Sequence, residues 1–104
     1  MRKYRGTSDL RPEFDSRGSF YGKATIVDFD NGDKVLSSYG TDILNVTLSG
    51  ELTRMVDYDC ISNTTARHCK EFIQQFARVA YDDLPGETTK EKVMKLPLYE
   101  EEQE

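Results

Sequence analysis

Histidine and cysteine are the residues of this chain best suited to nucleophilic or acid–base chemistry. His68 is the only histidine among 104 residues, Cys69 follows it, and Cys60 precedes both. Adjacent residues on a helix point about 100° apart, so Cys60 is the thiol better placed to pair with His68. Only the residue types support such a pair. The alternative is that His68 lies at the edge of the apolar stripe of a helix and hydrogen-bonds the backbone of a strand. We therefore expect no catalytic residue and no enzyme.

The residues that a metal or cofactor site would need are also missing from the sequence. Zinc needs three or four ligands at defined spacing, and Cys60, His68 and Cys69 are the only histidine and cysteine ligands in the sequence. The aspartates between strand-like runs suit turns, and Asp30 to Asp33 lacks the later bidentate glutamate of a calcium loop. No glycine-rich phosphate-binding motif is present. The sequence predicts no metal and no cofactor.

The secondary-structure elements that position these residues are predicted to be strands in the first part of the chain and helices in the second. Residues 20–29, 34–40, 42–48 and 51–57 are rich in β-branched and aromatic side chains and are separated by turn residues. Asn31-Gly32 predicts a two-residue hairpin turn in which both residues have positive φ. Ser49-Gly50 predicts a second tight turn, and Gly40-Thr41 predicts a break or bend. Short connections make this a four-stranded antiparallel meander.

One amphipathic helix follows the strands. Residues 62–65 offer several N-caps. Apolar residues then recur at helical spacing and form one stripe that needs a sheet face to cover it; they are Cys69, Phe72, Ile73, Phe76, Val79 and Ala80. Arg67 and Glu71 lie mostly away from this stripe. Thr88 and Glu91 match a capping box, which predicts a short C-terminal helix. The expected fold class is α+β with one main helix on one face.

The ends of the chain differ in charge. We expect a basic irregular arm over 1–19, a core domain over 20–84, and a short helix with an acidic tail over 85–104. The arm combines basic and aromatic residues, which suits nucleic acid. The net charge of −5 would repel a duplex, so another protein is the favoured partner.

No apolar run can span a membrane, and no apolar stretch follows the charged start, so we expect an intracellular protein with free thiols.

Three blocks of sequence resemble a known family. They are residues 15–24 (DSRGSFYGKA), 36–41 (LSSYGT) and 64–72 (TTARHCKEF). Together they resemble small uncharacterised proteins of tailed phages and gut bacteria. The resemblance implies a phage or mobile-element setting, and it brings no catalytic residues.

The blocks suggest where a binding site would lie. Arg67 and His68 stand near the helix start, and Tyr39 and Thr41 lie where two strands meet. These residues form either a polar patch at one end of the domain or the hydrogen-bonded seam that joins helix to sheet. Tyrosine is also favoured at protein interfaces. The candidate binding residues are Arg67, His68, Tyr39, Thr41, Tyr58, Arg17 and Tyr21.

Three features of the sequence lead to the functional expectation: the chain is small, its net charge is acidic, and it has no recognisable catalytic or metal-binding motif. It is a non-enzymatic protein-binding accessory protein of phage type, located in the bacterial host cytoplasm. One concrete form is an inhibitor of a bacterial defence nuclease, as anti-CRISPR proteins are. The alternative is a virion component, such as a capsid accessory or connector protein. Charged ends seldom order in isolation, so ends held by other subunits would favour that alternative.

Overall fold

The computed structural model describes residues 2–15, 23–57 and 61–100. Five strands form one antiparallel sheet in chain order: β1 (Tyr4–Asp9), β2 (Ala24–Phe29), β3 (Lys34–Ser38), β4 (Thr41–Val46) and β5 (Leu52–Arg54). The helices are α1 (Asn63–Phe76), a 3-10 turn (Tyr81–Asp83) and α2 (Thr89–Met94). The predicted α+β class, with one main helix and a short C-terminal helix, is confirmed. The predicted strand count of four is wrong.

The additional strand lies in the segment predicted to be an irregular arm. β1 pairs with β2, with Thr7 opposite Val27 and Asp9 opposite Thr25, and a bulge falls between Tyr4 and Gly6. Nearly every residue of β1 is exposed. Because neither face of this edge strand is buried, its sequence carries no apolar alternation, and alternation is the signal by which a strand is recognised.

The β2–β3 turn differs from the two-residue form predicted for Asn31 and Gly32. Only Gly32 has a positive φ, of 92°. Its N–H donates to the carbonyl of Phe29 at 3.1 Å, and the side chain of Asn31 accepts the N–H of Asp33 at 3.0 Å. Because Asn31 uses its side chain to close the turn, it keeps an ordinary negative φ.

The two-residue turn with two positive φ values lies instead between β3 and β4. Tyr39 has φ 51° and Gly40 has φ 82°, and Ser38 pairs directly with Thr41 across the turn. The strand break predicted at Gly40 is therefore a tight hairpin of the kind that matches the twist of the flanking strands.

α1 begins where the sequence predicts and ends earlier. The side chain of Ser62 caps the helix by accepting the N–H of Thr65 at 3.1 Å. The apolar stripe was predicted to continue to Ala80, but the helix stops at Phe76. The backbone N–H of Arg78 donates to the carbonyl of Gly50 at 2.9 Å, so the chain leaves the helix to meet the β4–β5 turn.

The core lies between α1 and one face of the sheet. The largest fully buried apolar side chain there is Phe72 of α1. It packs in one cluster with residues from the N-terminal segment, the strands and α2; they include Leu10, Ala24, Ile26, Leu36, Leu44, Val46, Ile73 and Val93. Leu10 is buried in this cluster although it belongs to the predicted arm.

The second face of the sheet is closed in part by the two ends of the chain. The guanidinium of Arg2 lies 3.9 Å from the ring centre of Phe29 and 4.6 Å from that of Tyr99. It also donates to Asp33 at 2.9 Å and to Asn45 at 2.5 Å. Residues 97–99 run along the outer edge of β5, where Leu98 forms a parallel bridge with β5. Among the described helices none is long and apolar enough to cross a membrane.

Candidate functional site

A buried polar seam joins α1 to the end of β3. The Oγ atom of Ser38 lies 2.8 Å from Nδ1 of His68 and 3.0 Å from Oγ1 of Thr65. All three side chains are buried. Ser38 faces α1 because it pairs with Ala24 of the core and strand residues directly opposite each other share a face. Ser38 thus bonds both of the other side chains, in keeping with the need of buried polar groups at such a join for partners.

The environment of His68 favours its neutral form. Burial is the main cause that lowers its pKa below the ordinary 6.5, and the charges of Arg67 and Lys23 lower it further, against a weaker opposing effect of Asp15. A neutral imidazole next to a serine hydroxyl resembles a nucleophile and its base. Ser38 is 2% exposed and His68 is 1% exposed, so the pair is buried where α1 packs on β3 and joins helix to sheet.

Tyr39 lies on the outer side of this seam. Its side chain is 57% exposed, and its ring centre lies 5.9 Å from that of His68 at an interplanar angle of 37°. Its φ of 51° places it in the left-handed region that bulky residues rarely adopt. Thr41, on the other side of the turn, is exposed. The turn thus displays an aromatic ring whose inner neighbour is the buried histidine.

A second group of side chains on α1 holds the N-terminal segment; we call these three residues, Arg67, Glu71 and Gln75, the arm clamp. Nε of Arg67 donates to Asp15 at 2.9 Å. Glu71 accepts the backbone N–H groups of Phe14 at 3.0 Å and Asp15 at 2.9 Å. Gln75 donates from one amide nitrogen to Glu71 and to a carbonyl of the segment, both at 2.7 Å. The clamp fixes residues 11–15 against the helix.

The Glu71 carboxylate is the centre of the clamp. Burial alone would raise its pKa, but the bond from Gln75 and the backbone N–H groups of Glu13, Phe14 and Asp15 outweigh burial and hold the pKa below its ordinary 4.5. The sequence predicted Glu71 on the polar side of α1, yet it is 1% exposed, because the N-terminal segment covers it. No local pattern in the sequence indicated this burial.

An open groove of about 360 Å³ lies beside the clamp. Phe14, held through its backbone and 60% exposed, forms one wall, and Val79 and Ala80 after α1 form another. Val79 and Ala80 were predicted to belong to the buried stripe of the helix. They face the groove instead because the chain leaves the helix at Ala77.

The structure brings part of the predicted site together. Arg67, His68 and Tyr39 lie around the first turns of α1, and Thr41 lies across the turn from Tyr39. The predicted binding residues Arg17, Tyr21 and Tyr58 lie outside the described residues, as does Cys60; Cys69 is a buried free thiol. Within the described ranges no group of three histidine, cysteine or acidic side chains could hold a metal ion.

These features define a class of small α+β protein: an antiparallel meander with one helix across a face, a buried serine–histidine seam and a clamped N-terminal segment. The chain belongs to the family of unknown function DUF8033, whose family model matches residues 8–91. The matched range includes the seam, the Tyr39 turn and the arm clamp. Comparison with curated proteins and with solved structures finds no match.

Proposed function

We propose that this chain is a non-enzymatic protein-binding accessory protein of phage or mobile-element type, and that it contacts its partner through the Tyr39 turn. The observation that carries the proposal is Tyr39 itself, a large aromatic residue that is exposed and held at positive φ in a two-residue turn.

The turn chemistry explains why this observation points to a contact. Asparagine and glycine fill the first position of such a turn without strain, whereas a bulky residue there costs on the order of 1 kcal/mol or more. Residues kept at such a cost cluster at binding and active sites. Tyrosine supplies large contact area with few rotatable bonds, and the ring of Tyr39 lies beside that of His68.

The surroundings of Tyr39 suit the rim of an interface. Lys23, Thr41 and Asp42 are exposed beside the turn, and an aromatic centre with a polar rim is the usual anatomy of a protein contact. The net charge of −5 favours a cationic partner by long-range attraction. A nuclease of a bacterial defence system, with a basic surface for nucleic acid, is the concrete partner we propose, in the cytoplasm of the host cell.

The alternative role as a virion component depended on ends held by other subunits. In the described part of the chain the ends are held by the domain: Arg2 lies between two aromatic rings, Glu71 binds residues 14 and 15, and residues 97–99 pair with β5. These contacts hold the described parts of both end segments without a further subunit, so we give the virion role second place.

The test is affinity capture from host lysate with three versions of the chain. Tyr39→Asn removes the ring and keeps a residue that suits the turn. Leu48→Ser removes another exposed apolar side chain, at the β4–β5 turn, and is the matched control. We expect a partner that the unmodified chain and Leu48→Ser retain, and that Tyr39→Asn binds at least about tenfold more weakly. The absence of any specific partner, or equal binding by Tyr39→Asn, would overturn the proposal.

A further inference from the structure

The two edges of the sheet are treated differently by the fold. The β5 edge is covered by residues 97–99: the N–H of Arg54 donates to Pro97 at 2.9 Å and the N–H of Tyr99 donates to Arg54 at 2.7 Å. β1, at the other edge, pairs only with β2 within the described residues. An edge strand with free N–H and C=O groups is a template for another strand.

The ladder between β1 and β2 identifies the free groups. The N–H of Leu10 donates to Ala24 at 3.0 Å. Hydrogen-bonded and non-hydrogen-bonded pairs alternate along an antiparallel ladder. Ser8, opposite Ile26, therefore directs its backbone groups toward β2. Thr7 and Asp9 direct theirs outward, to a side where both residues are exposed.

We propose that β1 pairs with β1 of a second copy of this chain, antiparallel, with the two-fold axis at Thr7. In this register the outward-pointing backbone N–H and C=O groups of Thr7 form hydrogen bonds with those of the second copy's Thr7. Asp9 lies opposite the second copy's Arg5, the bulge residue that has no Cα partner on β2, and the symmetry repeats that pair. An acidic residue thus meets a basic residue at both ends of the paired segment. This charge complementarity favours a second copy of β1 as the binding partner over a strand of unrelated sequence.

Neighbouring registers fit less well. Side-chain faces and outward-pointing backbone groups both alternate along β1, and residues directly opposite each other across two strands share a face. The register of the β1–β1 pair can therefore change only by steps that keep outward-pointing residues opposite each other. A shift toward the N-terminus places Asp9 opposite Lys3, whose backbone carbonyl already accepts the N–H of Asp30 and so faces β2. A shift in the other direction places Asp9 opposite Thr7 and loses both charge pairs.

The pairing has a definite outcome for the assembly. It joins two sheets of five strands into one sheet with both copies of α1 on the same face, and it places the two Tyr39 turns at opposite ends. Since the β5 edge is covered in each copy, the assembly closes at two copies and does not extend into a fibre. A pairing of one six-residue strand buries less than a standard interface, so we expect a dimer of micromolar affinity.

The test is the molar mass of the full chain by light scattering and sedimentation, up to about 1 mM. Thr7→Pro removes an outward N–H that the monomer does not use, and we expect it to weaken the dimer at least about tenfold. Ser8→Pro is the matched control, because its N–H bonds β2 and its loss lowers the unfolding midpoint instead. Tyr39→Asn is expected to leave the dimer unchanged, which separates this inference from the proposed function.

Charge exchange gives a second, independent test of the register. Arg5→Asp and Asp9→Arg each place like charges opposite each other and weaken the dimer, and the double variant restores it. This test holds even where Thr7→Pro fails to fold. A chain that stays monomeric at every concentration, or a dimer that neither the proline nor the single charge variants weaken, overturns the proposal.

Discussion

Ser38 Oγ lies 2.8 Å from His68 Nδ1, and this contact ties the last residue of β3 to α1 directly before the turn that exposes Tyr39. Ser38 of the buried join and Tyr39, the proposed contact residue, are neighbours in sequence, and both lie close to the same imidazole ring. We therefore expect a change that loosens the join to loosen the exposed ring as well.

Stability should depend on pH through His68. Its pKa is lowered by folding, so between the folded value and 6.5 the unfolded chain binds more protons than the folded chain. The free energy of unfolding is therefore highest above about pH 6.5 and falls as the pH falls through 6.5 toward the folded pKa. Urea unfolding between about pH 8 and pH 5 measures this. Since the chain has one histidine, His68→Gln should remove most of the dependence, and an identical dependence in that variant would contradict the assignment.

The arm clamp predicts a loss of stability when Glu71 is truncated. Glu71→Ala leaves the N–H groups of Phe14 and Asp15 without their acceptor, and bonds to a charged group contribute about 1.5–3 kcal/mol each. We expect a loss of about 3 kcal/mol and faster amide exchange at residues 13–15. Gln74→Ala, on the same helix and half-buried, is the control. Equal effects of the two variants would show that the clamp contributes nothing.

Arg2 should stabilise the second face of the sheet more than a surface residue can. Arg2→Ala leaves Asp33 and Asn45 buried without their donor, and breaking such a pair costs about 3 kcal/mol or more. Arg2→Lys should recover only part of this, because an ammonium cannot stack flat between two rings. Chemical unfolding measures both, and Lys3→Ala, at an exposed position, should change stability by less than about 0.5 kcal/mol.

The Tyr39 turn predicts opposite effects on stability and on binding. Tyr39→Asn should raise the free energy of unfolding by about 1 kcal/mol, because asparagine adopts positive φ more readily, while it weakens partner capture. Gly40→Ala, also at positive φ and with no neighbour within 4 Å of the added carbon, should lower stability by roughly 1 kcal/mol through backbone strain alone. A destabilised Tyr39→Asn would mean that the contact with His68 outweighs the strain.

Much of the fold follows from local patterns in the sequence. Apolar periodicity predicted α1, and the capping residues Thr88 and Glu91 predicted α2. The three connections predicted between strands fall at turns in the structure, at Gly32, Gly40 and Gly50 with their positive φ. β1 escaped prediction because an exposed edge strand needs no apolar side chains, so its only signal is pairing with β2.

The sequence by itself determined the α+β class, the antiparallel meander, and the placement of Arg67 and His68 near the start of the main helix, since these depend on local periodicity and turn chemistry. Tertiary structure alone decided which polar side chains are buried. Glu71 lies on the polar side of α1 and is buried because a segment more than fifty residues away in the chain covers it, and Ser38 meets His68 through the packing of helix on sheet. Such pairs form between residues far apart in sequence, so no local pattern encodes them.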